Sequence, residues 1–450
     1  MPRSTSSPPA DAGINHGAAR ADSAMPRGVL LLFACASGLS VANVYYAQPL
    51  LDLLAADFGI GLGAVGGVVG ASQAGCALAL LLLVPLGDRL ERRRLMLAQL
   101  LALVAALVAV AMAGSAVALL AAMLAVGLLG TAMTQGLIAY AATAAAPAER
   151  GRVVGAAQGG VVIGLLLARV MAGLAADLAG WRAVYLGAAA AMLLLGAALW
   201  RALPALAPPA APLSYARLLA SMFTLLARQR VLQIRGAIAL LMFAAFSIFW
   251  SALVLLLSAP PHAMSHTAIG AFGLVGVLGA LGAARAGQWA DRGQGQRTSG
   301  LALALLLACW LPLWFGATSL WALLLGIVAL DLAGQAIHVT NQSMIFSVQP
   351  QAHSRLVGCY MLFYAVGSGL GALGATAAYA RAGWGGVCLL GAGVSLLALL
   401  FWAATVGVGG VSVGGVSADI RTQTQQRRRG QCRHSDTDSA VKSLCGRDNG

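Results

Sequence analysis

The sequence predicts an all-α membrane protein with twelve transmembrane helices in two pseudo-symmetric six-helix halves. Three observations lead there. Of 450 residues, 60% are hydrophobic and only 9% are charged, whereas a soluble domain keeps about 25% charged. The apolar residues gather in twelve runs, roughly 28–50, 62–85, 95–114, 116–145, 153–176, 182–200, 235–258, 267–289, 298–316, 319–347, 355–379 and 384–406. Each is near the length of about 20 residues that crosses a bilayer as a helix. Finally, seven features recur at a fixed offset of 203 residues. Gly70 repeats at Gly273, Asp88-Arg89 at Asp291-Arg292, Pro147 at Pro350 and Arg152 at Arg355. Gly155 repeats at Gly358, Gly164 at Gly367, and Gly180-Trp181 at Gly383-Trp384.

Such a period is too long for a solenoid, whose repeats run about 20–50 residues. It fits a transporter built from two parallel halves with its site between them. Strands are excluded because lipid leaves their edges unsatisfied, and the alternation of a barrel is absent. The 56 glycines suit close packing of helices in a membrane.

Taken in order, residues 1–26 are rich in Ser, Ala and Pro and predict a disordered tail, in which Met25 offers a second start. Residues 27–200 hold the first six spans. Met25-Pro26-Arg27 before the first span and Ser40-Val41-Ala42 near its end resemble a cleaved signal peptide. Removing that span would unpair the halves, so an uncleaved helix is expected. On it, Asn43, Tyr45, Tyr46 and Gln48 precede Pro49. They suit hydroxylated or heteroaromatic ligands, or they anchor the helix at the interface. The fourth span carries Thr131, Thr134 and Gln135, and the fifth carries Gly155, Gly159 and Gly164, which let helices five and eight approach closely or form a plain small-residue packing face. Arg169 lies about sixteen residues into the fifth span, in the outer half of the bilayer.

Residues 201–234 form a linker. Pro204, Pro208, Pro209 and Pro212 open it, followed by a stretch in which Leu and Phe interleave with Arg217, Arg228 and Arg230. That pattern reads as a helix lying on the inner leaflet, or as a packed connector with snorkelling arginines. Residues 235–407 hold the second half. Its first span sets Phe243, Phe246 and Trp250 at i, i+3 and i+7, a face that stacks an aromatic ligand or packs the bundle, with Phe249 turned away. Residues 408–450 show no periodic apolar face and predict a second disordered tail.

The net charge of +14 is placed for topology, not for nucleic acid. With the amino terminus inside, fourteen arginines fall on the cytoplasmic side and two, Arg182 and Arg381, on the outer side. This asymmetry places both termini in the cytoplasm of a cell whose inner (plasma) membrane holds the protein. No folded domain offers a basic face for nucleic acid. Cys35, Cys76, Cys309, Cys359 and Cys388 lie in apolar spans and read as packing residues, and no C-x-x-C pair supports zinc or a disulfide framework.

What the two halves do not share points to chemistry. Among the acidic residues only Asp331 lies deep in a span, and its repeat counterpart is Leu128. A charge there costs roughly 2.5–3.5 kcal/mol on insertion scales, so it reads as functional or as a polar contact between helices. Asp331, Gln335, His338 and Gln342 fall at i, i+4, i+7 and i+11 on one helix face, with Asn341 at its edge. Asp331 is read as a proton-coupling or substrate-cation site. His338 is its relay partner or a plain hydrogen-bonded core histidine. Arg169 is matched by Ala372; it pairs with Asp331, receives an anionic substrate, or braces backbone carbonyls.

Two loops, "PLGDRLERRR" and "GQWADRGQGQR", each set an acid beside Arg in a tight turn. Such an acid caps an opposing helix start, where N–H groups lack partners and the macrodipole is positive. Asp88 is expected near Ser354 and Asp291 near Gly151, closing the cytoplasmic side. Here the chain resembles the major facilitator superfamily, whose signature G-x-L-a-D-R-x-G-R-[RK] these loops share. The second copy matches at Gly287, Asp291 and Arg292. The first keeps Gly87, Asp88 and Arg89 but has Val84 and Glu91 where glycines are expected.

Within the superfamily the chain looks like bacterial drug:proton antiporter-type permeases, through "NVYYAQPLL", "LLARVMAGL…GWR" and "LDLAGQAIHVTNQ". The antiporter signature of the fifth helix is only partly kept, since Gly160 stands where its proline belongs and Ile163 where a glycine does. The resemblance implies the major facilitator fold, with the fourth and tenth helices lining a central cavity. It also implies a gating role for the loop residues together with Arg152 and Arg355.

The expected function is proton-coupled efflux of a small organic molecule of drug, nucleoside or sugar class by alternating access. An uptake symporter or facilitator on the same scaffold is the alternative, and a membrane sensor a further one. No paired carboxylates, metal-ligand cluster, G-x-S-x-G or phosphate loop suggests an enzyme. No cofactor is expected, the proton gradient being the energy source. A monomer in the lipid bilayer with a small-molecule substrate is the expected assembly.

Overall fold

The computed structural model describes residues 26–146, 148–203, 214–346 and 353–408. Both expected disordered tails, the four linker prolines, Pro147 and Pro350 lie outside the described residues. Six helices form the first half: α1 (Arg27–Tyr45), α2 (Gly66–Leu78), α3 (Arg92–Ala111), α4 (Ala116–Ala144), α5 (Arg150–Ala179) and α6 (Trp181–Ala202). The second half begins with α7 (Arg230–Leu257). Next comes α8, whose two pieces His266–Ala271 and Gly276–Trp289 are joined by a tighter turn at Phe272–Val275. Then follow α9 (Gly295–Ala308, continued by Trp310–Trp314) and α10 (Leu320–Phe346). The helix His353–Val408 breaks at Gly383 into α11 and α12.

Ten helices among the described residues are long and apolar enough to cross a membrane. One of them, Arg355–Val406, holds two spans joined across Gly383, and a shorter apolar helix, His266–Gly279, lies at the expected eighth span. Counted so, all twelve spans are present. Linker-side and far-face ends alternate along the chain, because α6 runs into the linker and α7 emerges from it. The linker helix Tyr215–Arg228 buries Leu218 and Met222 and leaves Phe223 exposed. Only Gln229 separates it from α7, and Gln233 donates to the carbonyls of Leu226 and Ala227 at 2.8 and 2.9 Å, closing the helix end. The second half therefore starts at Arg230 rather than at 235, and Arg235 belongs to a helix, not to a loop.

The repeated glycines perform repeated jobs. Gly164 of α5 lies against the Gly38 carbonyl of α1, and Gly367 of α11 against the Leu240 carbonyl of α7. At Gly180 and Gly383 the backbone adopts φ of +81° and +60°, the left-handed region that only glycine enters freely. Each turn is followed by a tryptophan that ties it down. Trp181 donates to Asp57 at 3.1 Å and Trp384 to the Leu313 carbonyl at 2.8 Å.

One packing expectation is corrected. Gly160 and Gly164 seat α5 on α1, at Ala34 and Gly38, while Gly155 and Gly159 have nothing within 4 Å. The approach of α5 to α8 runs instead through Gly173, Gly270 and Gly273, the first two against opposing backbone and Gly273 against the Arg169 side chain. The reason is helical phase: Gly173 faces the second half while Gly160 and Gly164 face the first helix.

Candidate functional site: a cavity between the halves

A cavity of about 490 Å³ lies between the two halves, walled by α1, α2, α4, α5, α7, α8, α10 and α11. It runs from Gln48, Arg169 and Trp250 toward Gln158, Gln342 and Val357 near the linker-side helix ends. The stripe on α10 faces it as a unit: Asp331, Gln335, His338 and Gln342 all line it. So do Gln135 of α4, and Phe246 and Trp250 of α7, while Phe249 is fully buried against Trp384 behind them.

Arg169 is buried, yet its guanidinium does not pair with Asp331. Its Nε and Nη2 donate to Gln48 Oε1 at 3.2 and 2.8 Å, and its charge lies 4.2 Å from the Trp250 ring centre and 5.7 Å from that of Tyr45. A cation over an aromatic face is held by the ring quadrupole. Asp331 is 4% exposed, and its Oδ2 has no hydrogen-bond partner among the described residues. Small residues of α8 let both charges approach. A Cβ on Gly276 would sit 3.0 Å from Asp331 Oδ2, and one on Gly273 would sit 3.3 Å from Arg169 Cδ.

Three further atoms of wall residues, Gln73 Oε1, Ser247 Oγ and Trp250 Nε1, are buried without partners among the described residues. Buried polar groups are normally satisfied. The wall therefore carries a donor, two acceptors and a hydroxyl of either role that a proton, water or polar ligand would complete.

Three expected cavity residues are not in its wall. Asn43 is buried within α1 and donates to the Leu39 carbonyl at 2.9 Å. Tyr46 packs in the core of the first half, and Asn341 sits behind the α10 stripe beside Arg235. A helix turn of about 100° separates neighbours, so the residue beside a cavity-facing one points elsewhere. Tyr45 is the aromatic of that pair that faces the cavity, where its hydroxyl meets that of Tyr364 from α11. Tyr364 in turn packs edge-on to Phe243 at 4.4 Å. Tyr364, Ser368, Gln73, Gln158 and Ser247 escaped the sequence reading because single polar residues in apolar spans carry no periodic signal.

On the linker face, the side chains of Asp88, Asp291 and Ser354 lie outside the described residues, as do the caps expected of them. Glu91, standing where the signature has glycine, caps its own helix by accepting from the Arg93 and Arg94 amides at 2.9 and 2.8 Å. Arg92 donates to the carbonyls of Gly87 and Ala139 at 3.2 and 2.7 Å, tying the loop to α4. Arg152 pairs with Glu149 at 2.7 Å, and Arg355 joins Gly87 and Arg92 around a smaller cavity of about 110 Å³ under the linker helix. Arg89 and Arg292 are exposed, and Gly287 lies against Val339.

Among the described residues, a cap between halves is seen on the far face. Asp177, at the end of α5, accepts from the amides of His266 and Thr267 at 3.1 and 2.8 Å and from the Thr267 hydroxyl at 2.6 Å. The His266 ring joins it, with Nδ1 3.2 Å from Asp177 and Nε2 3.0 Å from Asp52, which follows α1. His266 stands just outside the apolar span 267–289. Its hydrogen bond to Asp52, then its other contacts with Asp52 and Asp177, hold it above the ordinary histidine value despite partial burial. Beside this seam, the Gly66 amide donates to Thr376 Oγ1 at 3.2 Å and joins α2 to α11. The far face is thus closed while the cavity reaches the linker side.

The chain matches the Major Facilitator Superfamily over residues 31–311. It is 44% identical over 374 residues to the transporter YgaY of Escherichia coli, itself uncharacterised, covering 83% of this chain and 94% of that one. Among solved structures it is similar to a bacterial homologue of the human lysosomal transporter Spinster in an inward-facing, occupied conformation. There the TM-score is 0.69 at 15% identity, over 85% of this chain and 98% of the other. A point mutant of the nucleoside transporter NupG gives a TM-score of 0.64 at 16% identity, over 83% and 99% of the two chains.

Proposed function

The chain belongs to the Major Facilitator Superfamily and is a transporter, and from that premise we propose proton-coupled efflux of a small organic molecule by alternating access. One observation carries the reading: Asp331, an acid absent from the repeat-related position, lines the cavity between the halves with an unpartnered buried oxygen. A buried carboxylate that makes no salt bridge among the described residues is costly to ionise, and protonation relieves that cost. Opening to one side and then the other lets such a group load a proton from one compartment and release it to the other. One pH unit is worth about 1.4 kcal/mol, and 100 mV about 2.3 kcal/mol per charge, so ordinary gradients suffice to drive it.

Stacking faces from Tyr45, Phe246 and Trp250, with amides from Gln48, Gln73, Gln135 and Gln335, favour a ring-bearing, hydrogen-bonding solute of drug, nucleoside or sugar class. Arginine placement supports a plasma (inner) membrane orientation with the linker and both termini cytoplasmic, so the cavity opens inward. The loop residues and Arg355 then belong to the cytoplasmic gate, and the energy source is the proton gradient. The test is proton movement in proteoliposomes on addition of drugs, nucleosides and sugars in turn. Protons are expected to move against the solute; movement with it overturns export. Asp331→Asn is expected to abolish the proton signal while solute binding persists, and unchanged coupling overturns the role of Asp331.

A further inference from the structure

Behind the α10 stripe lies a buried cation that no carboxylate neutralises among the described residues. Arg235 is 3% exposed, and its partners there are neutral. Its Nη1 donates to Ser299 Oγ at 2.8 Å and reaches Asn341 Oδ1 at 3.5 Å. Ser299 donates its own proton to the Gly295 carbonyl at 2.8 Å. A guanidinium only donates, so every group around it must turn a lone pair inward.

That demand propagates. With Oδ1 of Asn341 turned to Arg235, its Nδ2 is left as a donor, buried and without a hydrogen-bond partner among the described residues. The Tyr360 hydroxyl, 1% exposed, lies against Asn341 and within the field of Arg235. Its oxygen lone pairs therefore face the cation and the amide, and its single proton faces the third neighbour, Nδ1 of His338, at 3.0 Å. The reverse direction would set the Tyr360 proton against the donors of Arg235 and Asn341. His338 is the one member of this chain of groups that lines the cavity, and Phe243 holds its ring edge-on at 5.4 Å.

We propose that Arg235 sets the direction of this hydrogen-bond chain, so that His338 accepts at Nδ1 and presents an Nε2–H donor to the cavity. His338 then selects for a hydrogen-bond acceptor on the ligand: a carbonyl, an ether oxygen or a pyridine-type ring nitrogen. It is a specificity-determining group, and Arg235 is the positioning residue that acts through Tyr360. With Nδ1 occupied as an acceptor, His338 has no place for a second proton unless the whole chain reverses. Proton carriage is thereby left to Asp331. The titratable or charged groups around His338 are Tyr360 and Arg235 behind it, Tyr364 across Phe243, and Asp331 two turns along its own helix. Ligand selection through His338 depends on the central cavity being the transport site; the tautomer is read on the protein alone, so the two fail separately.

The measurement is NMR of isotope-labelled imidazole nitrogens in the purified full-length protein, with the His338 signals identified by their loss in His338→Gln. One Nε2–H form is expected from about pH 5 to pH 8, in an excess of about tenfold, as one charge-assisted hydrogen bond sustains. Arg235→Met is expected to release the ring into a mixture of tautomers, and Arg235→Lys to keep the single form. An Nδ1–H form, a titration of His338 within that range, or an unchanged single form in Arg235→Met overturns the assignment. Should Arg235→Met fail to fold, Tyr360→Phe serves the same purpose: a mixture is expected, and an unchanged single form overturns it.

Discussion

The α5–α8 and α2–α11 seams close the same face of the molecule by different chemistry. Both bring a glycine of the first half against opposing backbone: Gly173 against His266, and Gly66 against Ala372. At α2–α11 the polar contacts are neutral, with Thr376 Oγ1 3.2 Å from both the Gly66 amide and the Gly63 carbonyl. At α5–α8 two carboxylates grip one histidine and a helix start. The difference separates closure from its control. Glycines permit closure at both seams, while only α5–α8 contains groups whose charge changes near neutral pH.

The largest effect is expected from filling a contact point. Gly173→Leu, or Gly66→Leu at the other seam, sets a side chain into opposing backbone and should prevent far-face closure. Transport should fall about a hundredfold or more, as overpacking and lost contacts of a few kcal/mol imply. Spin-label distances across the far face would lengthen, and unchanged distances would show that the seams are not needed for closure.

Next is Asp177→Ala, which removes the acceptor for four donors. Hydrogen bonds to a charged group are worth about 1.5–3 kcal/mol, so the closed population should drop about tenfold to a hundredfold in the same distance measurement. Thr376→Val should shift it only about fivefold, since a neutral hydrogen bond is worth about 1 kcal/mol. Equal effects at the two seams would erase the distinction.

The pH dependence is subtler. A neutral imidazole donates from one nitrogen only, whereas both His266 nitrogens face carboxylates, so only the imidazolium satisfies both. His266 is held above its ordinary value in the closed form. The contribution to closure is therefore complete below about pH 6.5 and is lost as pH rises through the raised value. Distances across the far face should lengthen as the solution becomes alkaline, and His266→Gln should remove that slope. A slope that survives His266→Gln belongs to another group.

Much of this arrangement was legible in the chain. The stripe from Asp331 to Gln342 has helical period, so its shared face followed from spacing, and the cavity borders all four residues. The repeated glycines were legible as packing positions, but their partners were not: Gly164 meets α1 and Gly367 meets α7, where an approach of helices five and eight was expected. Asn43, Tyr46 and Asn341 were placed one residue out of phase, because a helix near its end can be read to within about a residue and each residue turns about 100°. The far-face latch left no mark in the chain at all: Asp52, Asp177 and His266 are single polar residues near span ends, far apart in sequence.

Local chemistry along the chain determined the class of molecule: apolar length demands helices in lipid, and duplication pairs the halves. Those terms are additive along the chain and need no partner. Tertiary structure alone decided which polar groups meet. It directed Arg169 to Gln48 and Trp250 instead of Asp331, buried Arg235 behind His338, and set Asp177 as a cap on the start of α8. Hydrogen bonds and ion contacts act over a few ångströms, and only packing brings residues hundreds of positions apart within that reach.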